Sequence, residues 1–226
     1  MNAYDSLKAR GVTRLCHFTK FQKLTHIITS AEGILASSSI RQDTKSVNDT
    51  ARYDGELDFV CCSVQYPNSW FLKQVMQRDT DKIFKDWVVL YIDLEILKNK
   101  KTKFCPCNAS KANGAYISSN VEKIDSIYDI TGPAIKYPRP PQMIPCCPTD
   151  GQAEILIEKN VPQEYIIGIA VGNEDVAKRV YALLKMYKLT YISIYIAPDV
   201  LTSRWSNMVR EGCLPKEVRC DWSEEE

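Results

Sequence analysis

The sequence predicts an α+β fold, and three observations carry that reading. Apolar runs of strand length recur through the middle and the last third of the chain. Helical periodicities fall between some of these runs and not others, so strands and helices do not alternate strictly, as a doubly wound α/β fold would require. The run at 87–93, WVVLYID, is apolar almost throughout, which suggests a strand buried on both faces. The length of 226 residues fits a single domain spanning 1–226.

Taken in order, residues 14–18 read as a strand that ends at His17 and Phe18. Thr19-Lys-Phe-Gln22 fits a capping box, with Thr19 as the N-cap of a helix whose apolar face holds Phe21, Leu24, Ile27 and Ile28. Gly33 is a plausible stop. Residues 36–57 are polar and without period, a long loop of the kind that is often functional in a compact domain. Residues 58–63 form the next strand, and the turn signal Pro67-Asn68 introduces a helix at 69–76.

The segment 98–111 carries five lysines, with Phe104 among them, and 133–150 carries six prolines, a density that excludes a regular helix or central strand. This stiff loop runs straight into Gln152. Strands are expected at 152–157, 165–171 and 191–197. Asn173 caps a helix with Val176, Val180, Leu183, Leu184 and Tyr187 on its apolar face. A last helix falls near 200–210, before an acidic tail.

Composition excludes several classes of protein. The net charge is +1, so no global field points to nucleic acid or membrane, and any basic patch must be local. No window offers the roughly 18 to 20 continuous apolar residues of a membrane span, and the polar N-terminus lacks the apolar stretch of a secretory signal. A cytoplasmic location is expected. Nine cysteines, an odd number, read as reduced thiols. Cys105-Pro-Cys107 and Cys146-Cys147 lack the usual zinc spacing, and both histidines are far away in sequence, so no metal is expected.

The chemistry concentrates in GQAEILIE, residues 151–158. On a strand, Gln152, Glu154, Leu156 and Glu158 share one face, while Ala153, Ile155 and Ile157 turn to the core. A carboxylate in the middle of such a strand is expensive unless it has a partner or a task. An arginine across the sheet would be the ordinary partner. Glu158, at the strand end, reads as a surface charge. Lys136, Tyr137 and Arg139 in the proline-rich loop, and Lys103 beside Phe104, mix cations with aromatics as a single-strand groove does.

Several pieces in order resemble one family. These are Leu15-Cys-His-Phe-Thr19 with Leu24, Ile28 and Gly33-Ile-Leu35, then Asn48-Asp49-x-x-Arg52, the strand at 58–63 with Tyr66-Pro-Asn68, the strand at 87–93, Asn108-Ala109, and Gln152-Ala-Glu154 running to Val161-Pro162. Together they resemble the DarT group of DNA ADP-ribosyltransferases, over residues 14 to 185 or so. Where that group commonly has Pro-x-Ser-Pro-Met, this chain has Gln65-Tyr-Pro-Asn-Ser69.

The resemblance implies an ADP-ribosyltransferase-like fold of split mixed and antiparallel sheets, with NAD+ as co-substrate. Glu154 would be the catalytic glutamate, stabilising an oxocarbenium-like ribose as nicotinamide leaves, with Gln152 and Arg52 assisting. His17, Phe18, Thr19 and Arg52 would hold NAD+. The acceptor would be a base of single-stranded DNA, thymidine in one branch of the group and guanosine in another, facing the loop before Glu154; the mixture of cations and aromatics makes Lys103, Lys136, Tyr137 and Arg139 its expected contacts. The resemblance also implies a toxin opposed by a macrodomain-type ADP-ribosyl hydrolase as antitoxin, and a monomer is expected. RNA or protein as acceptor, simple NAD+ hydrolysis, and a non-catalytic nucleic-acid-binding module of the same fold stand as alternatives.

Overall fold

The computed structural model describes residues 2–40, 53–81 and 85–222. Arg52, Asn48 and Asp49 lie outside the described residues, as do the last four residues of the acidic tail. One large sheet dominates. Its strands are β1 (Leu15–Lys20), β3 (Phe59–Val64), β4 (Trp87–Ile92), β5 (Thr102–Cys105), β6 (Glu154–Glu158), β8 (Ile166–Val171), β9 (Ser193–Ile196) and β10 (Val218–Arg219), and β2 (Ile34–Leu35) pairs separately with β7 (Asn160–Val161). The order across the sheet is β10-β9-β8-β4-β1-β3-β6-β5. All pairings are antiparallel except β8 with β9, which are joined, as a parallel pair must be, by the crossover helix α5 (Glu174–Met186).

The other α-helices are α1 (Ala3–Ala9), α2 (Phe21–Thr29), α3 (Ser69–Arg78), α4 (Ile96–Asn99) and α6 (Arg204–Arg210), and short 3-10 turns lie at Ser37–Ser39, Lys111–Gly114, Val121–Tyr128 and Gln163–Tyr165. None of them, nor α5, is long and apolar enough to cross a membrane among the described residues. All six residues of β4 are buried, as its unbroken apolar run implies, because it lies between β1 and β8 with side chains packed on both faces. Asn173 caps α5 by accepting the Val176 N–H at 3.0 Å.

Three local readings change. Thr19 does not cap α2. It continues β1 opposite Val88, and the N-cap is Lys20, whose side chain makes no capping bond. The pull of the strand ladder outweighs a cap worth about 1 kcal/mol. Gly33 follows a helix that has already ended at Thr29; its φ is +64°, and a Cβ there would meet the Val161 carbonyl oxygen at 2.1 Å. Glycine is needed for the close approach of β2 and β7 rather than as a helix stop.

The third change concerns the sheet edge. Residues 102–105, inside the lysine-rich run, form β5 beside β6. Lysines on an edge strand discourage pairing with other chains, and here each lysine of the run also has a partner. Lys98 meets Glu95 at 2.9 Å, Lys100 meets Asn160 at 2.6 Å, and Lys101 meets Glu158 at 3.9 Å. Lys103 meets Glu56 at 2.6 Å, and Lys111 donates to the Ala134 carbonyl at 2.8 Å.

The proline-rich loop has no regular structure and is fastened by side chains instead. Arg139 donates to the carbonyls of Cys147 at 2.7 Å and Ile144 at 2.9 Å. Thr149 Oγ1 donates to the Asp129 carbonyl at 2.8 Å, and Arg210 reaches the Thr149 and Pro138 carbonyls. The main core fills the space on both sides of the central strands. A small second cluster, Cys105, Cys107, Ala109, Ala134 and Leu156, covers the remaining face of β6. That face, which alternation leaves needing a cover, is closed by the turn after β5 and by the proline-rich loop.

Candidate active site

Glu154 opens β6 and pairs with Ser63 of β3 on one side and Cys105 of β5 on the other. It is only 7% exposed. Its oxygens accept three bonds. Asn68 Nδ2 and Asn108 Nδ2 approach Oε1 at 3.5 and 3.4 Å, and the Ala109 backbone N–H approaches Oε2 at 3.1 Å. Burial pushes its pKa up to about 8, with the nearby Cys105 and Asp54 adding to the rise and the Ala109 and Asn68 bonds opposing it.

The donors are themselves locked. Asn68 caps α3 through Oδ1 to the Phe71 N–H at 3.0 Å, and its own N–H donates to Ser63 Oγ at 2.8 Å. Its amide plane is thereby fixed with Nδ2 toward Glu154. Asn108 folds an Asx turn, its Oδ1 accepting from the Ser110 N–H at 3.0 Å and from the Ser110 hydroxyl. That turn also presents the Ala109 N–H. The carboxyl is thus positioned by two amides and one backbone donor, and no cation pairs with it among the described residues.

Glu154 sits on a cavity of about 480 Å³, which also has His17, Thr19, Asp54, Asn68 and Asn108 in its lining. This volume falls in the range of small-molecule sites, roughly 300 to 1,000 Å³. His17 Nδ1 lies 3.0 Å from the Cys61 carbonyl oxygen. A carbonyl only accepts, so Nδ1 carries the hydrogen. Burial lowers the pKa of the ring, which favours the neutral form and leaves Nε2 as an acceptor. Thr19 is 3% exposed and also lines the cavity. Phe18 borders it while packing on the Phe71 and Trp87 rings at 5.8 and 6.0 Å.

The structure therefore brings His17, Phe18, Thr19 and Glu154 to one cavity. Gln152 is not among its lining residues. Asp150 Oδ1 caps the Gln152 N–H at 2.8 Å and the Asp150 carbonyl accepts the Ala153 N–H at 2.9 Å, so the chain turns there and the strand begins at Glu154. The two-residue alternation that would align Gln152 with Glu154 does not extend that far. Lys136 and Tyr137 are exposed on the proline-rich loop. Arg139 uses both terminal nitrogens inside that loop, and Lys103 grips Glu56.

The pattern of residues does not single out Asn68, Asn108 or Asp54 as functional. Asn68 carries a local signal, an asparagine after proline at a helix start, but its second role spans 86 residues of sequence. None of the nine cysteines is in a disulfide; Sγ–Sγ separations are 3.8 Å for Cys105 and Cys107 and 4.0 Å for Cys146 and Cys147. Among the described residues no three His, Cys, Asp or Glu side chains cluster as metal ligands.

A largely antiparallel sheet carrying a buried glutamate at a cavity that a neutral histidine also borders defines the class as an ADP-ribosyltransferase. The chain belongs to the DarT family: the family model described as ssDNA thymidine ADP-ribosyltransferase, DarT, matches residues 16–202. The protein is thus an NAD-dependent single-stranded DNA ADP-ribosyltransferase by family.

Solved structures agree in fold. Thermus sp. 2.9 DarT in complex with ADP-ribosylated ssDNA superimposes with a TM-score of 0.58 at 16% identity, over 84% of this chain and 96% of that one. The same Thermus protein in complex with NAD+ gives 0.56 at 17% identity, over 78% and 90%. Thermosipho africanus DarTG in complex with ADP-ribose gives 0.58 at 16%, over 84% of this chain and 51% of that one. Comparison with curated proteins gives no match.

Proposed function

We propose that this protein transfers ADP-ribose from NAD+ to a base of single-stranded DNA, guanosine or thymidine, through Glu154. The observation that carries the reading is Glu154 itself, buried on the cavity, held by three donors and paired with no cation among the described residues. As the bond from ribose to nicotinamide lengthens, positive charge grows on the ribose. A fixed carboxylate facing that charge lowers the barrier without reorganising. His17 Nε2 accepts from a ribose hydroxyl, and Thr19 and Phe18 line the same wall. We assign Arg52 to the NAD+ phosphates and Gln152 to the acceptor side.

A base inside a duplex stack cannot reach a cavity of this kind, which favours single-stranded substrate. Of the four residues read as DNA contacts, Lys136 and Tyr137 are the exposed pair and take that role here. Arg139 and Lys103 are better described as scaffolding, because their donors are used within the protein. The similarity to DarTG, of which the chain spans about half, supports a toxin whose modification is reversed by a macrodomain-type ADP-ribosyl hydrolase.

The test uses labelled NAD+ with single-stranded DNA, RNA and protein acceptors, followed by mass spectrometry of the modified nucleoside. Wild type should label DNA alone. Glu154→Ala should cut the rate by roughly 10³-fold or more, the upper range for loss of one electrostatic group. Equal labelling by wild type and Glu154→Ala would refute the assignment.

A further inference from the structure

Transfer to a base nitrogen leaves a proton to be removed. The C1–nicotinamide bond breaks and its electron pair stays on nicotinamide, which departs neutral. The lone pair of a nucleobase N–H then forms the new bond to C1, and that nitrogen must lose its hydrogen. A guanidinium is a donor only and a carboxamide is not a base near neutral pH, so neither Arg52 nor Gln152 can accept it. Glu154 is the group assigned above to the ribose, with its oxygens held by Asn68, Asn108 and Ala109.

A second carboxylate lines the same cavity. We propose that Asp54 is the general base, its carboxylate taking the proton from the attacking nucleobase nitrogen. This rests on the transferase reading above. Asp54 is 9% exposed. Its Oδ1 accepts the Glu56 N–H at 3.2 Å and its Oδ2 faces the Cys61 thiol at 3.7 Å, so it enters the cavity from the loop before β3 with a fixed orientation. It lies near enough to Glu154 for its charge to disfavour ionisation there.

One turn braces both carboxylates. The segment after β5 supplies Asn108 and Ala109 to Glu154 and continues to Gly114. Gly114 has φ +83°, and a Cβ there would stand 2.8 Å from the Asp54 carbonyl oxygen. The backbones at 54 and 114 therefore fit together only with glycine at 114. The result is two carboxylates with separate tasks, one assigned to the departing-group side of the ribose and one to the acceptor.

The experiment measures transfer to a single-stranded oligonucleotide by wild type, Asp54→Asn and Asp54→Ala. NAD+ affinity is followed by calorimetry and folding by thermal melting. Both variants should bind NAD+ within about threefold of wild type and lose roughly 10²- to 10³-fold in kcat, the usual worth of a general base. Formate, a carboxylate small enough for the space left by alanine, should restore part of the rate to Asp54→Ala and none to Glu154→Ala. Retained kcat in Asp54→Asn, loss of NAD+ binding, or loss of rate without recovery in formate overturns the proposal. A wild type that modifies no DNA instead defeats the transferase reading beneath it, so the two failures are distinguishable.

Discussion

Strands β5 and β6 lie side by side at the sheet edge and treat charge in opposite ways. On β6, Glu154 is 7% exposed and meets only amide and backbone donors, at 3.1 to 3.5 Å. On β5, two residues from the cysteine that pairs with Glu154, Lys103 holds both oxygens of Glu56 at 2.6 and 2.7 Å and lies over the Phe59 ring. The lysine is compensated and partly open to solvent. The glutamate is desolvated and has no counter-charge among the described residues. Ionising a buried carboxyl that has no counter-charge is unfavourable, and its presence makes sense when a cationic substrate completes the pair.

The largest expected departure from this contrast comes from removing the donors. Asn68→Ala and Asn108→Ala should each lower kcat for transfer by roughly 10-fold, about the 1.4 kcal/mol that one weak positioning bond can supply. The pair together should fall short of additivity, because either change lets the carboxylate move. Asn68→Ala should also cost about 1 kcal/mol of stability through the lost cap of α3, whereas Asn108→Ala should not. Steady-state kinetics and thermal melts on the same preparations check both. Unchanged kcat in the double variant would mean that the cradle is packing alone.

A second departure is read in stability through pH. The Glu154 pKa stands at about 8 in the folded protein, above its unfolded value near 4.5. A raised folded value means that this residue's contribution to stability is fully present below about pH 4.5 and is lost as pH rises toward 8. Glu154→Gln imitates the protonated form. Its melting temperature should therefore match wild type at pH 4.5 and exceed it by roughly 10 °C at pH 9, on the order of a few kcal/mol. A bound cation favours the ionised carboxylate, so NAD+ should bind wild type more tightly as pH rises from 6 to 8 and should release a proton. Calorimetry in two buffers of different ionisation enthalpy measures that proton directly.

Much of this is legible in the sequence, and what is not has identifiable causes. The central strand at 87–92 and the α5 helix follow from periodicity because burial on their faces is what periodicity records. Glu154 stands out because a carboxylate inside an apolar strand violates that record. Thr19 reads as a cap because a capping box is a short local rule, and the ladder with Val88 is not local. Gln152 aligns with Glu154 only if the strand is extended through a turn that Asp150 closes. Asn68 and Asn108 fall within the pieces that carry the resemblance but receive no role from them, and Asp54 is not noticed at all, because these roles arise from contacts between distant segments and one sequence contains no trace of which donor meets which acceptor.

The lysines pose the same problem with a smaller energy at stake. A basic run with an aromatic suggests a phosphate groove, yet charge only attracts DNA if it is not already satisfied. Lys103 and Glu56 are 29% and 20% exposed as side chains, so the pair is worth at most about 1 kcal/mol after screening. Lys103→Ala should lower stability by about that much, and Glu56→Ala likewise, with the double variant no worse than either single one. Neither should change the salt dependence of oligonucleotide binding. Lys136→Ala should reduce the slope of log K against log salt by about 0.7 for each single-strand phosphate that the lysine neutralises. If instead Lys103→Ala reduced the slope and Lys136→Ala did not, the ion pair with Glu56 would have to open on DNA binding, and the edge strand β5 would join the DNA-contacting surface.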